Sequence, residues 1–500
     1  MLSGPQRRVQ HLRSLTVGVY TWENDDDHDD ESIEEVPIGP YGNVFSQVNL
    51  LADLLVHANN LKEFDCQRFQ PCLLKDPRIG SALQAMTQLT SLRLYDIGDT
   101  SLAFIRGCKA SLKSLYLEYY SPNDYPLHGE TKTLPALLSA IAPFQGLRTL
   151  ETWHLTPATS LEFDFEAAEM PSISYLRLSD STPYALDIVR FCPNLSTLVF
   201  SRDDQHAASA SGSLKGPRWP PLRRLMIQEY NDIPSILGRV HLVDCLHIAG
   251  QIPRSGEDDE EVAQCLELIR VASPVELYLS VVVRATPLTF LTELARVAPR
   301  LRVLELKVTV ESPIVENESW LDVIPESVRS LTIPCLRIYL PQLPWYPLRP
   351  YVYGNVDRSE RRERIIDALR MEAHRAQAPL TLPHRLIEAV PSLRYVAILD
   401  SGPNKFILEL APDVDDPPND LDLAALAELE KVAQFNDEDD SSEDEEDEDW
   451  SRTWDELRGT DHFVSYTWWQ VAEEADGRVV KPITIEEGER VQRQFLERGL

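Results

Sequence analysis

Apolar positions along this 500-residue chain fall into one short spacing that keeps returning. Aliphatic residues occur at i, i+3 and i+5, first at Leu12, Leu15 and Val17. The same spacing reappears as LTSLRL from Leu89, LKSLYL from Leu112, LRTLET from Leu147 and ISYLRL from Ile173. It continues as LSTLVF from Leu195, LRRLMI from Leu222, LRVLEL from Leu301, VRSLTI from Val328 and LRYVAI from Leu393. Weaker copies start at Leu61, Val243 and Pro274, making thirteen. The alternation at the end of each copy predicts a short strand with its aliphatic side chains on one face. Between copies the period becomes helical, as in VFSQVNLLADLLVHA, TLPALLSAIAPF, EEVAQCLELIRVA and PLTFLTELARVA. HANNL, FCPNL, VAPRL and AVPSL then stop the helix with proline or asparagine just before the next leucine.

A strand paired with one helix cannot bury its apolar side alone, so such units must stack. From Leu61 to Val328 the starts lie 21 to 35 residues apart. This resembles leucine-rich repeats, which run ~20–29 residues, some of the intervals here carrying insertions. L-x-x-L is common by chance, but thirteen copies at a restricted spacing with matching helix ends argue against coincidence. The predicted fold is an α/β leucine-rich-repeat solenoid over 9–410. A curved parallel sheet lines its concave side and helices its convex side. A small β/α cap is predicted over 450–500: HFVSYTWWQV as a strand, AEEADGR as a turn, VVKPI as a return strand, and a helix opened by Thr484 and Glu487 as a capping box. With KFILEL at Lys405–Leu410 it would cover the open edge after the last repeat. Trp468 and Trp469 are expected to be cap core.

The unit Leu92–Leu117 places Ile97, Asp99, Leu102, Ile105, Cys108 and Leu112 in a strand, I-x-D turn, L-x-x-I helix, cysteine, strand order. FCPNL at Phe191–Leu195 repeats the cysteine joint. These residues resemble the cysteine-containing leucine-rich repeats of F-box proteins, and the irregular array resembles the repeat region of fungal F-box proteins. The resemblance implies substrate recognition for a ubiquitin ligase. An F-box is a helical segment of ~40–50 residues ahead of the repeats, a terminal cap of the array. Only eleven residues precede Leu12. Two expectations stay open: a relative with repeats alone, or a chain whose F-box lies upstream.

The net charge of −32 is concentrated. Residues 23–35 hold nine acids, 257–261 hold five, and 411–449 hold eighteen against Lys431, so these segments carry −31 of it. The rest is nearly neutral, which argues against nucleic-acid binding. Eleven acids fall in Asp437–Asp449, a self-repelling run expected to be disordered. Ser441 and Ser442, each with an acid three residues on, suit acidophilic kinases. The run is expected either to solubilise or to draw basic partners such as histones, as in the acidic leucine-rich nuclear phosphoproteins it resembles. No stretch approaches the ~20 apolar residues of a membrane helix. LTVGVY is shorter than the ~7–15-residue core of a secretory signal. A monomer in the cytoplasm or nucleus, with reduced cysteines, is therefore expected.

Strand alternation aims the residues between the leucines at the concave face. Four consecutive copies supply Arg93 and Tyr95, Tyr116 and Glu118, Glu151 and Trp153, then Tyr175 and Arg177. Aromatics and arginines dominate interface hot spots, so these eight residues are the candidate protein-binding site. The alternative is that they pack only on one another or on an insertion loop. Ser201, Thr332 and Ala397 read as bland positions of the same column. No nucleotide, hydrolase or zinc motif is present. Cys245 and His247 form a loose pair about 6.6 Å apart on one strand, short of a nucleophile–base contact. The basic helix Arg358–Arg375 reads as an exposed helix face. No catalytic residue, cofactor or metal is expected.

Overall fold

Twelve of the thirteen spacings lie on strands in the predicted register. The structure, a computed structural model, describes residues 9–18, 47–119, 134–157, 161, 168–202, 218–252, 259–283, 289–310, 320–340, 378–400, 465–475 and 477–497. The acidic segments 23–35 and 411–449, the basic helix Arg358–Arg375 and KFILEL lie outside the described residues, as does part of 257–261. The chain divides into two compact units, Met1–Val243 and Asp244–Leu500. Among the described residues no helix is long and apolar enough to cross a membrane.

The first unit is a parallel ladder of β1 (Ser14–Val17), β2 (Glu63–Cys66), β3 (Ser91–Ile97), β4 (Ser114–Tyr119), β5 (Thr149–Trp153), β6 (Tyr175–Ser181), β7 (Thr197–Arg202) and β8 (Leu222–Ile227). Pairing aligns Leu15, Phe64, Leu92, Leu115, Leu150, Leu176, Leu198 and Leu225 in one row. Val17, Cys66, Leu94, Leu117, Thr152, Leu178, Phe200 and Ile227 form the next. From β2 onward both rows are fully buried. Helices including Val48–His57, Phe69–Lys75, Arg78–Ala85, Asp99–Gly107 and Leu134–Ile141 supply the apolar partners. Thus the 3.6-residue stripe of each helix meets the two-residue alternation of the strands. Cys108 and Cys192 end their helical turns alike, each Sγ donating to the carbonyl four residues back at 3.6 Å. Burial pushes both thiols up to about 12.

The second unit repeats this arrangement. β9 (Val243–Ile252), β10 (Glu276–Val283), β11 (Val303–Val310), β12 (Cys335–Tyr339) and β13 (Tyr395–Asp400) are parallel. Leu246, Leu277, Leu304, Leu336 and Val396 form the buried row. Two strands then reverse direction: β14 (Ser465–Glu474) pairs antiparallel with β13, and β15 (Gly477–Ile483) with β14. A helix, Ile485–Glu497, follows. Its Glu487 N–H donates to Thr484 Oγ1 at 3.2 Å, the N-cap half of the predicted box.

One strand departs from the prediction. The copy at Val328 is not a strand: Val328 ends the helix Trp320–Val328, and Thr332 lies in the connection. Leu336 pairs with Leu304 and Ile338 with Leu306, so the working spacing is IPCLRI, beginning at Ile333. Two overlapping aliphatic spacings compete here. Pro334 decides between them, because it cannot donate to a ladder and the strand forms after it.

Candidate functional site

In the first unit, the side chains between the leucine rows stand on the opposite sheet face in register. Asp65, Arg93, Tyr116, Glu151 and Arg177 are successive neighbours across β2 to β6. Tyr95, Glu118, Trp153 and Ser179 form the adjoining rung. The structure therefore brings seven of the eight candidates onto two adjacent rungs. Tyr175 is level with Thr149 and Ser114, one rung earlier than the sequence pairing placed it. In ISYLRLS the outward positions that match the other copies are Arg177 and Ser179, because Tyr175 precedes the central leucine instead of following it. Asp65, opposite Arg93, was missed, its copy LKEFDC being one of the weaker ones.

Tyr116 is the hub of this patch. Its ring centroid lies 5.0 Å from that of Tyr95, and the Arg93 Cζ sits 5.7 Å from it. Its hydroxyl donates to Glu118 Oε2 at 2.7 Å. Burial, the bond to Glu118 and the neighbouring negative charge all hold the Tyr116 hydroxyl protonated well above its ordinary range. Arg177 lies 5.3 Å over the Trp153 ring, and its Nε donates to Ser179 Oγ at 2.9 Å. The Trp153 indole N–H has no hydrogen-bond partner among the described residues. Asp65 is raised by burial, partly offset by Arg93. Arg93 is exposed and the other seven candidates half-buried. The side chains do pack on one another, and this holds them in fixed orientations while leaving edges open to solvent.

The same face of the second unit is differently furnished. Its central rung runs His247, Tyr278, Glu305, Arg337, Ala397 and Trp468 across β9 to β14. Arg337 Nη1 lies 2.8 Å from Glu305 Oε2 and 3.6 Å from Glu276 Oε1. Its Cζ stands 4.2 Å over the Tyr466 ring, and Tyr466 donates its hydroxyl to Glu305 Oε1 at 2.8 Å. Burial pushes Glu305 above the usual carboxylate range, with Arg337 and the Tyr466 bond offsetting part of it. The misplaced register at Val328 hid Arg337 and Tyr339. The signal was present in IPCLRI, where Arg337 falls between the aliphatics as Arg177 does in ISYLRL.

What covers this face is the helix Ile485–Glu497. Val303, Cys335, Ala397 and Trp468 form a buried cluster against which Tyr395, Tyr466, Ile483 and Phe495 pack. Phe495 meets Tyr395 edge-on at 6.0 Å, and Gln492 Nε2 donates to Glu276 Oε1 at 2.6 Å. Gly488 is pressed to the Trp468 indole so closely that a Cβ there would stand 2.3 Å from the ring. Trp468 is indeed buried, but on the sheet face under this helix.

Among the described residues no cluster of His, Cys, Asp or Glu is arranged to hold a metal ion. His247 stacks on Tyr278 with centroids 3.7 Å apart. No family model matches the chain, and neither does any curated protein.

Proposed function

We propose that the chain is a non-enzymatic protein-interaction scaffold that binds a protein partner on the first unit's open sheet face, through Arg93, Tyr95, Tyr116, Glu118, Glu151, Trp153 and Arg177, with Tyr175 at the margin. The supporting observation is the rigid cluster at Tyr116, clasped by Tyr95, Arg93 and Glu118, beside the Arg177–Trp153 stack. Aromatic and arginine side chains held in place lose little entropy on binding, which is what hot spots require. By resemblance, such a face is the substrate-recognition half of an F-box-type ubiquitin-ligase receptor working in the cytoplasm or nucleus. The test is affinity purification with mass spectrometry on the wild-type chain and on Tyr116→Ala/Trp153→Ala. The double variant should lose the partner while keeping its unfolding transition, and unchanged recovery refutes the reading. Cullin-ligase subunits among the captured proteins would support the ubiquitin coupling.

A second reading follows from the eleven acids of Asp437–Asp449: capture of histones or other basic proteins. It predicts capture that disappears on deleting 411–449 or raising ionic strength, whereas capture by the aromatic face survives both.

A further inference from the structure

The helix Ile485–Glu497 lies on the face of β10–β14 with only two of its residues, Gly488 and Val491, buried. Glu487, Gln492, Gln494, Phe495 and Leu496 are half-buried. The contacts to the sheet run through Gly488, Gln492 and Phe495, with Val491 buried between them. Gly488, Val491, Gln492 and Phe495 stand at i, i+3, i+4 and i+7, the spacing by which an amphipathic helix lies in a groove. A thirteen-residue helix is marginal by itself in water, so these contacts sustain it. The site under it carries two carboxylates, Glu276 and Glu305, against one guanidinium, Arg337, all nearly buried. The resident helix answers that excess negative charge with the neutral amide of Gln492. Lys307, one rung on, is turned to the Tyr339 ring at 5.8 Å. Buried negative charge in excess of its counter-charge is costly, and an added cation beside Glu276 would offset it.

We propose that the face of β10–β14 is a helix-binding surface on which Ile485–Glu497 is an exchangeable occupant. Its external ligand is a partner's amphipathic helix carrying a small residue, an aliphatic, a basic residue and an aromatic at the places of Gly488, Val491, Gln492 and Phe495. The C-terminal helix keeps the surface closed until such a helix competes for it.

The test titrates full-length protein with two fluorescent peptides of sequence 484–500, one native and one carrying Gln492→Arg. Protein bearing Gly488→Val has its own helix lifted by the clash with Trp468. It should bind both peptides saturably and about tenfold more tightly than wild-type protein does, because it no longer pays for displacing its own occupant. The Gln492→Arg peptide should bind more tightly than the native one, by a margin that shrinks in salt. Absence of saturable binding to Gly488→Val, or equal affinity for the two proteins, or no preference for the arginine peptide, overturns the proposal. Should Gly488→Val lose its cooperative unfolding, Phe495→Ala takes its place. If that variant also fails to fold, the helix is a fixed part of the core and the proposal is overturned.

Discussion

Arg177 and Arg337 occupy the same place in their repeats, each between the two inward aliphatics of its strand. Their surroundings diverge. Arg177 lies over Trp153 on a face half open to solvent. Arg337 sits between Glu305 and Glu276, over Tyr466, and 6.0 Å from the Trp468 ring that the chain's own helix covers. The leucine rows behind both are equally buried. A repeat position therefore fixes where a side chain points, and whatever covers the face decides whether it is a contact surface or an internal strut.

The largest test of this contrast is a pair of alanine substitutions followed by urea unfolding. Arg337→Ala leaves buried carboxylates uncompensated and should cost about 3–5 kcal/mol. Arg177→Ala, at a partly solvated stack, should cost within about 1 kcal/mol. Equal losses would break the comparison. The leucine faces should instead behave alike: Leu115→Ala and Leu304→Ala, both at fully buried positions, should each cost about 2–5 kcal/mol.

A smaller effect concerns the lid of the covered face. Gly488→Ala raises helix propensity, worth about 1 kcal/mol. It also drives a methyl group into the Trp468 indole, so a net loss of about 1–2 kcal/mol is expected from thermal unfolding. A gain in stability would mean that the helix does not press on the indole.

The smallest effect is on pH dependence. Glu305 faces Arg337 and Tyr466, with Glu276 and Gln492 close by, and its carboxyl is raised above 4.5. The native state then binds more protons than the unfolded chain above that pH, so this group's contribution declines as pH rises from 4.5 through its raised value. The slope cannot exceed about 1.4 kcal/mol per pH unit for one proton. Glu305→Gln should flatten it, measured as hydrogen-exchange protection of β10–β13 between pH 4.5 and 7. An unchanged slope would place the titrating group elsewhere.

The strand positions were legible because each copy carries its own aliphatic triplet, and parallel stacking preserves that register from one unit to the next. Two readings slipped for local reasons. Tyr175 was counted on the wrong side of Leu176, and Val328 began a triplet that Pro334 displaces to Ile333. The covering helix was legible as a helix, and the strands before it as a cover for the edge of β13. Its seat on the sheet face was not. Gly488, Gln492 and Phe495 meet Trp468, Glu276 and Tyr395, and two of those partners are 216 and 100 positions away. No local spacing encodes such pairings.

Oxidative footprinting of the full-length chain, read by mass spectrometry, tests the difference between the two faces most directly. Tyr116 and Trp153 should be modified readily, while Tyr466 and Trp468 resist until the C-terminal helix is loosened by Gly488→Val. Modification of Trp468 in the wild-type chain as fast as that of Trp153 would contradict the account.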